Sequence, residues 1–516
     1  MQPGVYTQPV INARNIKICA LAAFIALVPA HAADDDRDII RIAAAFRTLT
    51  LDPTRSIYTG AIETFGQLYS RLLRRNAEGQ LVPGLALRWE ISSDGLDYTF
   101  FLRETKFSDG SPLTADDAAF SLLRMRDDPE AVYPAPVLSL QNAWAEDART
   151  LRIRLKQPNA PFLEALEMCF LGVVSRADVE RRGAAAAFAD IPVTSGPYRV
   201  VEWRRNDRLI LEANPYYWRT GYPLNDGAEL IEVVDTNTRI AMLQAGEVDA
   251  IQDITHSAIA GFVASPDTVV PEEPALRIQV LLLNHARPPF SDRRVREAAA
   301  LALDRERFTR VATRGRAQVA NTLLPRQLRF HDPDFPGWTY DPHRARQLID
   351  EAGAHGAKVV INFTAPSAYY EMMALIVQAY WGDIGLEVEI RKMDQAIYEQ
   401  RQMDGDYDAA IEWWYNENAE PDLAVKWALC GSCGNRAYYT NYQNDRVDEL
   451  VRQGAAELDP DRRRDIYREI QAIAFRDVAQ IPLFYPSWLN AYSTRIEGLG
   501  FTPATQWTLE EARHVR

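Results

Sequence analysis

At 516 residues, with 47% hydrophobic and 25% charged side chains, the chain has an ordinary globular composition and is long enough for more than one hydrophobic core. Its net charge is −14, and no run of Lys or Arg forms the basic patch that phosphate backbones require, which argues against nucleic acid and anionic membrane surfaces as partners.

Arg14 and Lys17 precede an apolar run from Ile18 to Val28, and Ala30-His31-Ala32 supplies the small-x-small pattern of a signal peptidase site. An exported protein, cleaved after Ala32 and acting in the periplasm, is expected. The run falls short of the roughly 20 residues a membrane-spanning helix needs. Cys19 lies at its start, not just after it, which argues against a lipid anchor. Without this leader the charge becomes −16, since it holds two cations and no acid.

Ile39 to Ala43 reads as a strand ended by the turn Leu51-Asp52-Pro53. Trp89 to Ser92 and Tyr98 to Leu102 flank Ser93-Asp94-Gly95 and read as a hairpin. Thr114, with Asp117 three positions on, has the form of a capping box, and a helix carrying Ala118, Phe120, Leu122 and Leu123 should stop before Pro129. From 190 to 283 strands dominate, among them Tyr198 to Trp203 and Leu209 to Ala213, with a helix from Thr238 to Leu243 ending at Gly246.

From about 286 helices and strands alternate. Ser291 or Asp292 caps a helix, and Ser367 caps another that Gly385 ends. Leu386 to Ile390 is a strand and Asp394 opens a helix. Asp408 to Trp413 is a strand, Asp459-Pro460 starts a long helix with Pro at its tolerated first position, and Ile481 to Tyr485 closes with a strand. The N-terminal part is thus a strand-rich lobe and the C-terminal half an α/β lobe.

The strand from Asp408 delivers EWWYNENAEPD, Glu412 to Asp422, with three aromatic rings and four carboxylates in eleven residues. Ligands of α/β sheets bind beyond the carboxyl ends of strands, so Trp413, Trp414, Tyr415, Asn416, Glu417 and Glu420 are candidate ligand contacts. Simple alternation of Trp413 and Trp414 between core and surface is the competing reading. Cys430-Gly-Ser-Cys433, followed by a turn at Gly434-Asn435, reads as a structural disulfide, with free thiols, redox chemistry and metal binding as alternatives. Cys169 reads as a buried apolar residue.

These segments together resemble the family 5 extracellular solute-binding proteins of ABC importers, the group of oligopeptide- and dipeptide-binding proteins. The resemblance rests on Leu51-Asp52-Pro53, Gln67 to Leu72, Leu81 to Ala86, Trp89 with Ser93-Asp94-Gly95, Phe100 to Arg103, and Phe107-Ser108-Asp109-Gly110 through Asp117. It continues through Ser195 to Tyr198, Asn214 to Trp218, Leu283-Asn284 with Pro289 to Asp292 and Arg294 to Arg296, and Gly405 to Asp408.

It implies an α/β, two-lobed periplasmic binding protein-like fold of type II, in the larger class with an extra N-terminal subdomain. The first lobe would comprise 33–60, 190–284 and 484–516, its extra subdomain 61–189, and the second lobe 285–483. The hinge is implied at Leu283-Asn284 and from Pro482 to Tyr485. Glu417 falls where peptide-binding members receive the ligand's amino terminus, and Tyr58 and Thr59 match positions lining the pocket from the first lobe. Tyr370-Glu371-Met372-Met373 stands where dipeptide-type members carry an arginine for the ligand carboxylate, so a longer peptide, an amine-bearing conjugate or a cationic solute is expected.

The resemblance further implies a monomer that captures a small solute, closes over it and hands it to the transmembrane subunits of an ABC permease, with no cofactor, metal or catalysis. A sugar, an opine or a metal complex remains open as the solute, because the same fold serves all of these. An exported hydrolase using Glu417 and Glu420 as acid and base finds no supporting motif, and His256, His285, His331, His343, His355 and His514 show no ligand spacing.

Overall fold

A computed structural model describes residues 37–45, 48–76, 79–364, 368–433 and 439–515, apart from the Thr59 side chain. The leader with its cleavage site, the expected cap Ser367 and the turn Gly434-Asn435 lie outside the described residues. Among the described residues no helix is long and apolar enough to cross a membrane.

Two large sheets organise the chain. In the first, Ile39–Ala44 runs parallel to both Gly227–Glu232 and Ala250–Ile251, and Arg208–Ala213 with Tyr198–Arg204 extends it antiparallel. Ala491–Ser493 and Thr268–Val269 complete its other edge. The second sheet runs, in spatial order, Gln318–Val319, Ile481–Tyr485, Arg277–Leu283, Ala409–Tyr415, Lys358–Thr364 and Glu387–Met393. A smaller antiparallel sheet, Ala86–Ile91, Asp97–Leu102, Thr150–Leu155 and Leu140–Ala145, lies within 61–189 and shares its core with the first sheet. The expected hairpin is its first pair, with Trp89 opposite Phe100.

Local signals act where the sequence places them. Asp117 accepts from the Thr114 amide at 2.9 Å and starts Ala115–Asp127. Asp292 caps Arg293–Leu301 through the Arg294 amide, in preference to Ser291. Asp459 caps Pro460–Asp477 through the amides of Asp461 and Arg462. Gly246, at φ 72°, ends Thr236–Ala245 in the left-handed conformation that a residue lacking Cβ adopts without strain.

The second sheet is covered on both faces. One face buries Phe290, Phe308, Phe363 and Trp381, whose indole donates to the Ala299 carbonyl at 3.0 Å. The other buries Ile278, Val280, Trp414, Tyr442 and Tyr467. Cys430 and Cys433 are joined as a disulfide, with Cα atoms 5.4 Å apart, beside this second face. Cys169 is buried in the first lobe.

The passage between lobes differs from expectation. Leu283 pairs with Ala409 inside the second sheet, and the Asn284 amide donates to the carbonyls of Gly405 and Tyr407, both at 2.9 Å. Pro482 faces Val280 in the same sheet, and the Tyr485 hydroxyl donates to the Thr322 carbonyl at 2.9 Å. None of these four residues connects the lobes, and the second lobe begins near 277 instead of 285. The reason is that Arg277–Leu283 is an apolar central strand of the second sheet, so the change of pattern near 286 marks that strand's end.

The chain crosses between Val269 and Arg277 and returns between Tyr485 and Ala491. There Glu273–Pro274 pairs antiparallel with Ser487–Trp488. Glu273 is buried and accepts from the Tyr492 hydroxyl, the Asn490 amide at 2.9 Å and the Phe501 backbone at 2.8 Å.

Two stability predictions follow from this packing. Trp381→Ala should destabilise the second lobe by about 3–5 kcal/mol, read from urea unfolding, because a large void opens in a close-packed face. Glu273→Ala strands buried donors at the crossing and should cost about 2–4 kcal/mol in the same measurement, far more than an exposed Glu→Ala change.

Candidate functional site

The strand Ala409–Tyr415 extends two residues beyond the expected Trp413, because it pairs with Arg277–Leu283 over its whole length. Strand side chains alternate between faces, which separates the two tryptophans. Trp414 turns into the core beside Ala428 and Leu429, where it is 8% exposed. Its indole donates toward Gln480 within the second lobe, on the side of the strand away from Trp413 and Tyr415. Trp413 and Tyr415 share the opposite face and stack with centroids 5.6 Å apart and planes inclined by 26°. Tyr415 packs against the first lobe's core, and its hydroxyl lies 3.5 Å from the Ile57 carbonyl. This face is therefore where the lobes meet.

Past the strand the chain folds into a loop held by its own amides. The Asn416 amide donates to the Glu420 carbonyl at 2.9 Å, and the Asn418 side chain accepts from the Glu420 backbone at 3.0 Å. Asn416 is buried and holds the loop, so it is not an open ligand contact. Glu420 is 1% exposed and sits between Arg329 and Arg463, each 2.7 Å away. A carboxylate already matched by two guanidinium groups has no unmet charge to offer an amine, nor can it serve as an acid or base.

Glu417 differs from it. It is half-buried, no cation among the described residues is ion-paired to it, and Tyr133 of the first lobe is its hydrogen-bond partner. Burial pushes its carboxyl up to about 7, against the lowering effect of a backbone hydrogen bond and of Tyr133. Tyr133 is raised in turn, by burial first and by the Glu417 charge second. The backbone of Val132 donates to the Thr54 carbonyl at 3.0 Å, which sets Tyr133 beside the loop leading to Ile57 and Tyr58. Tyr58 is 63% exposed at the start of Thr59–Leu68, next to the Ile57 carbonyl that Tyr415 approaches. Thr59 begins that helix.

Further residues face this region that the sequence reading did not single out. Arg277 begins the strand opposite Tyr415, and its guanidinium lies 3.9 Å from the Trp413 ring centroid and 5.8 Å from that of Trp488. Tyr370 hydrogen-bonds Arg277, while burial pushes its hydroxyl up to about 12. Asp253, at φ 54°, approaches from the first lobe; burial raises its carboxyl, opposed by the charges of Arg277 and Arg239. Glu412 turns to the other face of its strand, accepts from Tyr398 at 2.8 Å and is pushed up to about 7 by burial. The one available signal for Arg277 was a lone charge at the head of an otherwise uncharged run, Ala275 to Leu283.

The lobes also touch around this centre. The Ala160 amide donates to the Ala455 carbonyl at 2.8 Å, Arg329 approaches Glu164 at 3.6 Å, and His256 stacks on Tyr369 with centroids 5.4 Å apart. The result is an interlobe face with aromatic walls, the Arg277 guanidinium, and the carboxyls of Glu417, Asp253 and Glu412, none of them ion-paired among the described residues. Among the described residues no group of three or more His, Cys, Asp or Glu is arranged to hold a metal ion.

Residues 80–435 match the family described as bacterial extracellular solute-binding proteins, family 5, middle. Heme-binding protein A of Haemophilus influenzae is 27% identical over 468 residues, 85% of each chain. Glutathione-binding protein GsiB of Shigella dysenteriae is 27% identical over 498 residues, 92% of this chain and 94% of its own. In structure, the periplasmic binding protein DppA of Helicobacter pylori, solved with the peptide STSA, superposes with a TM-score of 0.80 at 23% identity, covering 93% of this chain and 99% of its own. The two-lobed α/β architecture is thus that of periplasmic binding proteins, and the chain belongs to the family 5 bacterial extracellular solute-binding proteins.

Proposed function

We propose that this protein is exported, with its leader cleaved after Ala32, and serves as the monomeric capture component of an ABC importer. It takes a peptide or peptide-like solute between its lobes and presents the closed form to the transmembrane subunits of a permease. The observation that carries this reading is Glu417, a half-buried carboxyl without a cation, set between Tyr133 of the first lobe and the Trp413–Tyr415 face of the second. A solute amine would supply the missing charge through a charge-assisted hydrogen bond.

Closure follows from the same contacts. A solute touching both Tyr133 and the Trp413–Tyr415 face binds the closed state better than the open one and shifts the equilibrium by that difference. The paired segments at Glu273–Pro274 and Ser487–Trp488 are the proposed hinge, because among the described residues the backbone passes between the two large sheets there.

A second reading, a sugar, opine or metal complex, draws support from the stacked rings of Trp413 and Tyr415, which present a flat apolar face to a sugar ring as well as to a side chain. The relatives' names, heme-binding and glutathione-binding, reflect how widely solutes differ within the family. A hydrolase is disfavoured by the pairing of Glu420, which leaves Glu417 without a second free carboxyl in its loop.

A thermal-shift screen with peptides of graded length, their N-acetyl forms and oligosaccharides tests the reading. A peptide at 100 times its dissociation constant should stabilise the protein by about 2.7 kcal/mol, and acetylation should abolish the effect. Stabilisation by sugars alone would discard Glu417 as an amine anchor. Glu417→Gln should weaken free-amine peptides by about 10- to 100-fold and leave N-acetyl forms unchanged.

Affinity should also depend on pH with a definite sign. Burial keeps Glu417 protonated below about pH 7, and an amine needs the ionised form. Binding should therefore fall as pH drops below 7, by up to about tenfold per unit, and Glu417→Gln should flatten that slope in calorimetric titrations.

A further inference from the structure

We infer that the cleft holds a second, cationic anchor, the Arg277 guanidinium, and that the captured solute carries a carboxylate as well as an amine. This deepens the peptide reading above and rests on it.

Arg277 is the first residue of the second lobe after the crossing, so its side chain emerges where the lobes face each other. Its guanidinium carbon lies over the Trp413 ring, 3.9 Å from the centroid, with Trp488 of the returning segment 5.8 Å away and the Tyr370 hydroxyl as a hydrogen-bond partner. An arginine over an aromatic face can still offer the edge of its fork to a planar anion. No carboxylate among the described residues forms an ion pair with it within 4.0 Å, and its Nε is buried without a hydrogen-bond partner. A cation placed in such surroundings is costly unless an acceptor meets it.

The neighbouring acids do not fill that role. Glu412 on the same lobe is engaged by the Tyr398 hydroxyl and the Trp413 amide, at 2.8 and 2.9 Å. Asp253 of the first lobe influences Arg277 electrostatically but lies beyond ion-pair range. Nor does the Tyr370 hydroxyl supply a negative charge. The guanidinium edge is thus matched to an oxyanion brought from outside.

Chain proximity sets what that solute must be. Arg277 lies directly opposite Tyr415, and Glu417 follows two residues beyond it in the loop that leaves the strand. Two residues of chain span at most roughly 7 Å, so the two anchors stand within the span of a short peptide. The chemistry matched is a small zwitterion, amine on Glu417 and carboxylate on Arg277, with an apolar middle against Trp413 and Tyr415. This reverses the expectation drawn from Tyr370 to Met373, which carry no arginine. The cation comes from a different strand and lies against Tyr370.

The test is calorimetric titration of the full mature chain with trialanine, trialanine amide and N-acetyl-trialanine, alongside glucuronate and glucose, for wild type, Arg277→Gln and Arg277→Lys. Amidation should weaken binding about 100-fold or more in the wild type. In Arg277→Gln the acid and the amide should bind alike, and Arg277→Lys should fall between, since it keeps the charge and loses the planar fork. Equal binding of acid and amide by the wild type would overturn the inference while leaving the amine reading intact, and needs no variant to fold. If no peptide binds, the peptide reading fails and the sugars decide. Glucuronate bound in preference to glucose, with the preference lost in Arg277→Gln, upholds the anion site; any other pattern overturns it.

Discussion

Glu273 accepts hydrogen bonds from Tyr492, Asn490 and the backbone of Phe501 while its own segment pairs with Ser487–Trp488. Through it the outgoing crossing is tied to the returning chain and to the C-terminal part of the first lobe. A buried carboxyl is tolerable here because donors surround it; without them its desolvation would dominate. With the crossing held, the two strands that follow and precede it have fixed starting points. Arg277 begins the second sheet at the interface, and the strand opposite it must end there, which is why Trp413 and Tyr415 reach the first lobe.

Within that frame, alternation along one strand separates scaffold from cleft. Ala410 and Trp414 face one core, while Ala409 and Ile411 face the other. Trp413 and Tyr415 continue the second of these faces past its end, into the space between lobes. The loop then sorts its two glutamates by charge. Glu420 is matched by Arg329 and Arg463, and its backbone is clamped by Asn416 and Asn418. Glu417 is left with a tyrosine and no cation. The same ions join the lobes, since Arg329 also approaches Glu164, which with Glu167 pairs with Arg75 of the first lobe. The loop that carries Glu417 is thereby tied to the contacts between the lobes through one electrostatic network.

Local signals are legible in the sequence because they act over a few residues. The capping box at Thr114, the caps at Asp292 and Asp459, the glycine stop at Gly246 and the hairpin through Gly95 each need only neighbouring atoms. The two-lobed α/β class was also legible, because strand-rich and alternating patterns occupy different stretches of the chain. The run Arg277 to Leu283 misled, since an apolar strand of the second sheet looks no different in sequence from the last strand of the first. That is why Leu283, Pro482 and Tyr485 are sheet residues, and Asn284 the residue that follows a strand, and not the crossing.

What the sequence determined by itself was the family pattern and the position of a mixed aromatic and acidic segment after a strand. Which of those residues face the cleft was decided only by tertiary structure. Trp413 and Trp414 are chemically identical, and register alone separates them. Glu417 and Glu420 are equally acidic, and they differ only in arginines about 40 to 90 residues away in the chain, at 463 and 329. Arg277 acquires its place from Trp413, Tyr370 and Trp488, more than 90 residues downstream. Charge is written in the sequence, but whether a charge is matched depends on which distant groups the fold brings within a few ångströms of it.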